Sequence, residues 1–220
     1  MPTPSPPSPA RPRRPLAGFA LAVALVPALV SCGLLREAPT TEAALIGDSI
    51  TDQSRDTFDD VLGDDYLLDV RAFPGVRTDE WIEQAQLAAL EQPQLAVVNL
   101  GTNDVFQGAP LERSMAAVQQ MLDLLGFVPC RYVVTVNEAM VSNVGDDLPA
   151  RARDYNAALR SLAAAEQVEV LDWSAVVVAE LAAGEPGGSV TVDTVHPTDR
   201  GEGLLADLYR QAMDECVLPP

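Results

Sequence analysis

Short apolar runs alternate with longer amphipathic stretches along most of the chain. Five runs have the length and the composition of strands, and several are almost continuously apolar, as strands of a parallel sheet are when both faces are buried. They occupy residues 43–47, 67–73, 94–101, 131–137 and 168–173. The pattern predicts five strands, separated by segments that are long enough for helices.

Two of the intervening segments, residues 111–126 and 150–166, have apolar residues at helical spacing. These positions are interpreted as core rather than as cofactor contacts: Met115, Val118, Leu122 and Leu125 in the first segment, and Ala152, Tyr155, Leu159 and Leu162 in the second. Strands that alternate with helices are joined by right-handed crossovers. The predicted fold is therefore α/β, a three-layer α/β/α arrangement with a five-stranded parallel sheet.

The beginning of the chain differs from the rest. Three arginines precede an apolar run at 16–30, and small residues follow, which is the order of a secretory signal peptide. The run is shorter than the ~20 apolar residues of a membrane-spanning helix, and Pro27 interrupts it. The predicted organisation is a signal peptide at 1–31, a tether at 32–42 and one domain at 43–220.

The sequence LVSC, at 29–32, resembles the lipobox of bacterial lipoproteins, in which the cysteine is lipidated and becomes the first residue. The resemblance implies that acyl chains on Cys32 anchor the protein to a membrane, each buried methylene contributing ~0.8 kcal/mol. An ordinary signal peptide with a chance cysteine is the alternative. Arg13 and Arg14 leave the twin-arginine export route open. We expect the protein in the cell envelope, on the outer face of the membrane, or secreted.

Charge argues against one class of partner. The net charge is −18, from 14 arginines, no lysine and 32 acidic residues, and no basic cluster is present that could displace counterions from phosphate. We therefore expect no nucleic-acid partner. With one histidine and scattered acidic residues, the sequence also predicts no metal site and no cofactor.

Cys130 and Cys216 are the two cysteines of the predicted domain. Outside the cytoplasm such a pair can oxidise to a disulfide. Two buried free thiols are the other interpretation, because the spacing of the two residues along the chain does not fix the distance between their backbones. Both interpretations stay open at this point.

Polar residues and glycines follow the first three predicted strands, where ligands bind in parallel sheets. Ser49 follows the first strand in GDSIT, Gly75 the second in FPGVRT, and Asn103 the third in GTND. Each residue alone is equally well explained as a helix cap or a turn residue. Together they offer a hydroxyl, a backbone N–H and an amide donor at one edge of the sheet.

His196 is the only histidine, and it stands in DTVHP, three residues after Asp193. Pro197 keeps His196 out of the helical conformation, and one turn of chain would bring the carboxylate against the imidazole. A serine hydroxyl attacks an ester only when a base takes its proton, and imidazole is the side chain that titrates near neutral pH. His196 is therefore the candidate base for Ser49.

These four segments, in this order, resemble the SGNH or GDSL-type hydrolase family over residues 43–215. The first block reads GDSI where the family usually has GDSL, and it lacks the second glycine of the G-x-S-x-G elbow of α/β-hydrolases. The resemblance implies the flavodoxin-like SGNH hydrolase fold. It also implies a nucleophile at Ser49, a general base at His196, an orienting acid at Asp193, and an oxyanion hole formed by the N–H groups of Ser49 and Gly75 and the amide of Asn103.

The resemblance further implies a serine esterase that hydrolyses carboxylic esters through an acyl-serine intermediate. Its substrates would be acyl or acetyl esters of envelope glycans or lipids. The alternatives are an O-acyltransferase on a surface glycan and a non-catalytic glycan-binding lipoprotein. We also expect Asn137, Glu138 and Asn143, which lie at and just past the end of the fourth predicted strand, to line the pocket.

Overall fold

The structure is a computed structural model that describes residues 38–142 and 147–218. The strands are β1 (Thr41–Gly47), β2 (Tyr66–Ala72), β3 (Leu95–Asn99), β4 (Cys130–Val134) and β5 (Glu169–Leu171). The helices are α1 (Ser49–Gln53), α2 (Arg55–Leu62), α3 (Ile82–Glu91), α4 (Thr102–Gln107), α5 (Leu111–Leu124), α6 (Leu148–Glu166), α7 (Trp173–Ala182) and α8 (Asp199–Asp214), with a short 3-10 helix at Thr78–Glu80. No helix in these two stretches is both long and apolar enough to span a membrane. The predicted signal peptide, most of the tether and Cys32 lie outside the described residues.

The strands form one parallel sheet in the order β2-β1-β3-β4-β5. Gly47, at the end of β1, pairs with Ala72 on one side and with Asn99 on the other. The turns that leave β1, β2 and β3 therefore start side by side at the carboxyl edge of the sheet. This register brings the first three sequence blocks into one region.

Both faces of the sheet are covered, because the residues of its central strands alternate between two hydrophobic clusters. Ala44 and Ile46 pack with α3, α5 and α6, whereas Ala43 and Leu45 pack with α2, α7 and α8. A strand buried on both faces must be apolar at every position. This explains the continuous apolar runs, and the predicted three-layer α/β fold with a five-stranded parallel sheet is confirmed for the described residues.

Strands β2 to β5 end one to three residues earlier than the sequence predicts. Past β3 and β4, a side chain from α6 bonds the backbone that follows the strand. Past β4, Asn156 accepts a hydrogen bond from the N–H of Val136 and donates one to its carbonyl, both at 2.8 Å. Past β3, the hydroxyl of Tyr155 donates to the carbonyl of Leu100. These contacts satisfy backbone groups that a longer strand would pair within the sheet.

A disulfide joins Cys130, the first residue of β4, to Cys216, just after α8, with their Cα atoms 6.1 Å apart. Of the two interpretations that the sequence left open, the structure therefore contains the disulfide. Closing a loop of 86 residues contributes ~4–5 kcal/mol in the chain-entropy account. The bond fixes the end of the last helix against the sheet.

Candidate active site

Ser49 occupies the first position of α1, directly after the turn that leaves β1. The side chain of Asp48 caps this helix by accepting a hydrogen bond from the N–H of Ile50 at 3.0 Å. Gly47 permits the tight turn, since a Cβ atom there would collide with the side chain of Thr51. The helix thus begins at Ser49, which is 6% exposed.

His196 reaches Ser49 from the other end of the chain. Its Nε2 atom lies 3.0 Å from Ser49 Oγ, and its Nδ1 atom lies 2.8 Å from Asp193 Oδ2. The second carboxylate oxygen of Asp193 accepts hydrogen bonds from the backbone N–H groups of His196 at 2.8 Å and Val195 at 3.0 Å. The structure therefore brings the three residues of the predicted triad into one connected row.

The hydrogen bonds define which ring nitrogen of His196 carries the proton. An ionised carboxylate only accepts hydrogen bonds, so Nδ1 donates to Asp193. In the neutral imidazole Nε2 then has its lone pair free, and it faces the hydroxyl of Ser49. This is the tautomer that can take a proton from a serine.

Asp193 is suited to stay ionised. Burial alone would raise the pKa of its carboxyl group, but the hydrogen bonds from the backbone and ring of His196 and from Val195 outweigh it and hold the pKa below its usual value. Its side chain is 53% exposed, so water also solvates the charge. A carboxylate that keeps its charge can stabilise the imidazolium formed when His196 takes a proton.

Asp48 lies in the opposite environment. It is fully buried, and burial raises the pKa of its carboxyl group to about 7, although the N–H of Ile50 and the charge of His196 partly offset this. Asn103 Nδ2 donates a hydrogen bond to Asp48 Oδ2 at 3.4 Å. Asp48 belongs to the GDSI block, but no pattern in the sequence indicates that it is buried beside the amide of Asn103.

Asn103 is the second residue of α4 and lines the same cavity as Ser49. The chain enters α4 through Gly101, whose φ of +117° is in the left-handed region that favours glycine. A Cβ atom there would also collide with the ring of Tyr155. Two independent constraints therefore require glycine in front of the predicted oxyanion donor.

Gly75 lies in the turn after β2 and has a φ of +82°. Its carbonyl accepts a hydrogen bond from Gln107 Nε2 at 3.1 Å, which connects this turn to the end of α4. The residues that line the cavity around Ser49 do not include Gly75. Its N–H as an oxyanion donor stays a prediction.

A cavity of about 350 Å³ opens beside Ser49 and His196. Its other lining residues are Thr102, Asn103, Phe106, Val141, Ser142, Asp193 and Val195. Phe106 and Val141 are 50% and 59% exposed, so their apolar surfaces face the opening. Among the described residues, the lining contains neither arginine nor lysine. This composition suits an uncharged group beside the reactive serine.

The pocket residues expected past β4 are different from those that the structure places there. Asn137 is 2% exposed and bonds the carbonyl of Thr194, and Glu138 accepts a hydrogen bond from Asn156. Val141 and Ser142 line the cavity instead. The expectation for Asn143 lies outside the described residues.

Phe106 is a pocket residue that the sequence analysis missed, although a signal was present. It follows Asn103 by three positions on the same helix, and residues at that spacing share a helix face. Val141 had no such signal, because its position depends on how the chain leaves β4.

The fold and the serine–histidine–aspartate row define the class of the protein as a serine hydrolase. Residues 45–204 match the model of the GDSL-like lipase/acylhydrolase family. The chain belongs to this family, and the general activity that the family supports is the hydrolysis of esters. The predicted family and the predicted class of enzyme are confirmed.

Solved structures share the fold at low sequence identity. A member of the lipolytic protein G-D-S-L family from Veillonella parvula is 19% identical, with a TM-score of 0.67 over 80% of this chain and 100% of that chain. A GDSL-like lipase from Bacteroides thetaiotaomicron is 21% identical, with a TM-score of 0.67 over 82% and 92%. The acetyl xylan esterase AlAXEase is 20% identical, with a TM-score of 0.66 over 78% and 98%. No curated protein matches the chain in sequence.

Proposed function

We propose that the protein is a serine esterase that hydrolyses uncharged carboxylic esters through an acyl-serine intermediate. The observation that carries the proposal is the row formed by Ser49 Oγ, the His196 ring and Asp193 Oδ2, with distances of 3.0 and 2.8 Å, at the wall of an open cavity. A nucleophile, a base within hydrogen-bond reach and a group that orients the base are the parts that acyl transfer requires.

In the first half of the reaction, Ser49 Oγ attacks the ester carbonyl while His196 Nε2 takes the hydroxyl proton. The tetrahedral intermediate bears a negative oxygen, which accepts hydrogen bonds from the N–H of Ser49, the amide of Asn103 and the N–H of Gly75. His196 then gives its proton to the departing alkoxide, and the acyl group stays on Ser49. In the second half, a water molecule loses a proton to His196 and attacks the acyl-serine, which releases the carboxylic acid and restores the hydroxyl.

The amide of Asn103 can serve both Asp48 and an oxyanion. An asparagine Nδ2 atom carries two hydrogens, and one of them is directed to Asp48 Oδ2. The second hydrogen is then held in a fixed plane. A donor fixed before the reaction costs no reorganisation when charge develops on the substrate.

The lining of the cavity supports the substrate class. A carboxylate or phosphate next to the scissile bond would need a cation, and the lining residues that the structure describes offer none, whereas Phe106 and Val141 offer apolar surface to an acyl chain. An acetyl xylan esterase and lipolytic proteins are among the structural relatives. We propose acetyl or acyl esters of envelope glycans or lipids as the substrates.

The proposed place of action rests on the sequence alone. Residues 1–31 would direct export, and lipid on Cys32 would hold the enzyme at the outer face of the membrane. Metabolic labelling with an alkyne fatty acid tests this, with incorporation expected in the wild type and none in Cys32→Ala. Equal labelling of the two proteins would contradict the lipid anchor.

The activity is tested with p-nitrophenyl acetate, butyrate and octanoate, using Ser49→Ala as the inactive reference. Release of nitrophenol by the wild type alone supports the esterase. Turnover that appears only after a sugar acceptor is added would favour the acyltransferase. Binding of a glycan without turnover of any ester would favour the non-catalytic lipoprotein.

A further inference from the structure

The segment that carries Asp193 and His196 closes on itself before α8. Val192 N–H donates to the carbonyl of His196 at 2.8 Å, and Thr198 N–H donates to the carbonyl of Val190 at 3.0 Å. We call residues 189–198 the histidine loop. The bonds between Asp193 and His196 lie within this loop, so they define its internal shape and not its position relative to Ser49, which belongs to another part of the chain.

Thr194, between the aspartate and the histidine, has an unusual backbone conformation. Its φ of +70° lies in the left-handed region, which a β-branched residue rarely adopts. Such conformations persist where surrounding contacts hold them, and they concentrate at functional sites. The contacts of Thr194 are therefore informative.

Two hydrogen bonds reach Thr194 from the segment that follows β4. Asn137 Nδ2 donates to the carbonyl of Thr194 at 2.9 Å, and the N–H of Val141 donates to Thr194 Oγ1 at 3.0 Å. Asn137 is itself fixed, since it is 2% exposed and its Oδ1 atom accepts the N–H of Ala139 at 2.8 Å. A buried amide that makes two hydrogen bonds thus connects the segment after β4 to the centre of the histidine loop.

We infer that Asn137 is a positioning residue for the acid–base pair, acting through the carbonyl of Thr194. Its amide sets the distance of the histidine loop from the end of β4, and the imidazole consequently reaches Ser49 Oγ. The bond from Val141 adds a second attachment, and Val141 also lines the cavity. The hydrogen bonds of the Asn137 side chain go to Thr194 and Ala139, and Asn137 is not among the residues that line the cavity, so its effect on the reaction goes through the loop. This role of Asn137 rests on the proposed function, in which Asp193 and His196 act on Ser49.

The test uses the fact that the chain has one histidine. Protein labelled with ¹⁵N-histidine reports the His196 ring alone, and the Nδ1 proton that bonds Asp193 gives a separate resonance. In the wild type we expect a single tautomer, with a proton on Nδ1 that exchanges slowly with water. In Asn137→Ala we expect this resonance to broaden or disappear, because the loop is no longer held. Steady-state kinetics should show kcat lower by about 10- to 100-fold with KM within about threefold, since small displacements of a catalytic group have effects of this size.

Thr135→Val is the matched control. Thr135 lies two residues before Asn137 and is 1% exposed, but its hydroxyl bonds Asp172 and the N–H of Ser174, away from the histidine loop. This variant should lower the melting temperature and leave the ring resonances and kcat as in the wild type. If Asn137→Ala does not fold, Asn137→Ser replaces it, because serine is too short to reach Thr194 and keeps a polar group in the buried site.

The proposal is overturned if a folded Asn137 variant keeps the wild-type ring resonances and kcat. It is equally overturned if Thr135→Val changes both as much as Asn137→Ala does. The ring spectrum needs no substrate, so it tests the contact even if the wild type hydrolyses no ester. Failure of the esterase proposal and failure of this inference are therefore separate results.

Discussion

The two halves of the site are held in place by different means. The nucleophile turn, residues 47–51, leaves the central strand of the sheet and is buried throughout, with its position set by backbone pairing to both neighbouring strands. The histidine loop is partly exposed and is held by side-chain hydrogen bonds, including those at Thr194. The proposed nucleophile, Ser49, is thus fixed by the fold, whereas the proposed base, His196, is fixed by a few contacts that single substitutions can remove.

Each half of the site contains an aspartate, and the pKa values of the two carboxyl groups are shifted in opposite directions. Burial raises the pKa of Asp48 to about 7, whereas hydrogen bonds hold the pKa of Asp193 below its usual value. One carboxyl group bonds Asn103 and the other bonds His196, and we expect them to have different tasks. In the proposed mechanism Asp193 stabilises the charge of the imidazolium, and Asp48 holds the amide of Asn103 at the start of α4.

Removing either reacting group should have the largest effect. Ser49→Ala and His196→Ala are each expected to lower kcat for p-nitrophenyl butyrate by about 10⁴- to 10⁶-fold, and the double variant should lose no more than the worse single one, because the two groups act as a unit. Ser54→Ala, which changes another buried serine of the same region, is the control. Additive losses in the double variant would contradict a joint role.

Removing the negative charge of Asp193 in the histidine loop should have the next largest effect. Asp193→Asn is expected to lower kcat by about 10²- to 10⁴-fold, because an amide no longer holds the proton on Nδ1 or stabilises the imidazolium. Asp199→Asn, at an exposed acid at the start of α8, is the matched control. Equal activities of the two variants would show that the loop needs no charge at Asp193.

Removing the amide donor tests the nucleophile side. Asn103→Ala is expected to lower kcat by about 10²- to 10³-fold, with KM nearly unchanged, because the oxyanion forms only during the reaction. Rate measurements with esters of two chain lengths should give the same loss. A change in KM alone would indicate that Asn103 binds substrate and not the oxyanion.

The buried carboxyl group of Asp48 should appear in the pH dependence of stability. An unfolded aspartate has a pKa near 3.8 and the folded one about 7, so between these values the folded protein binds the extra proton. The free energy of unfolding therefore falls as pH rises through this window, by about 2–3 kcal/mol between pH 5 and pH 8.

Asp48→Asn should remove this slope, so the variant gains stability relative to the wild type as pH rises. Urea unfolding at pH 5, 6, 7 and 8 measures the effect. If the free energies of unfolding of the two proteins changed with pH in parallel, the raised pKa of Asp48 would be contradicted. The Asp48 change should also lower kcat, because asparagine has one accepting oxygen and cannot accept from both the Ile50 N–H and Asn103 Nδ2.

The features of the fold and the site that depend on local residue patterns could be predicted from the sequence. The continuous apolar run of β1 indicated a strand that is buried on both faces. The only imidazole of the chain, three residues after an acid, indicated the candidate base for Ser49. The environment of Asp48 could not be predicted in this way, because it depends on Asn103, 55 residues further along the chain. The contact between Asn137 and Thr194 spans 57 residues, and Asn137 was placed in the pocket for lack of any signal that its amide turns to the loop. Such contacts depend on the packing of distant segments, which residue spacing does not encode.

The most direct test of the central claim, that His196 activates Ser49, is reaction of the purified protein with a fluorophosphonate probe followed by peptide mapping. The account predicts a single labelled peptide that carries the probe on Ser49, and no labelling in folded His196→Ala. Labelling of Ser49 at the same rate in that variant, or labelling of a different residue in the wild type, would contradict it.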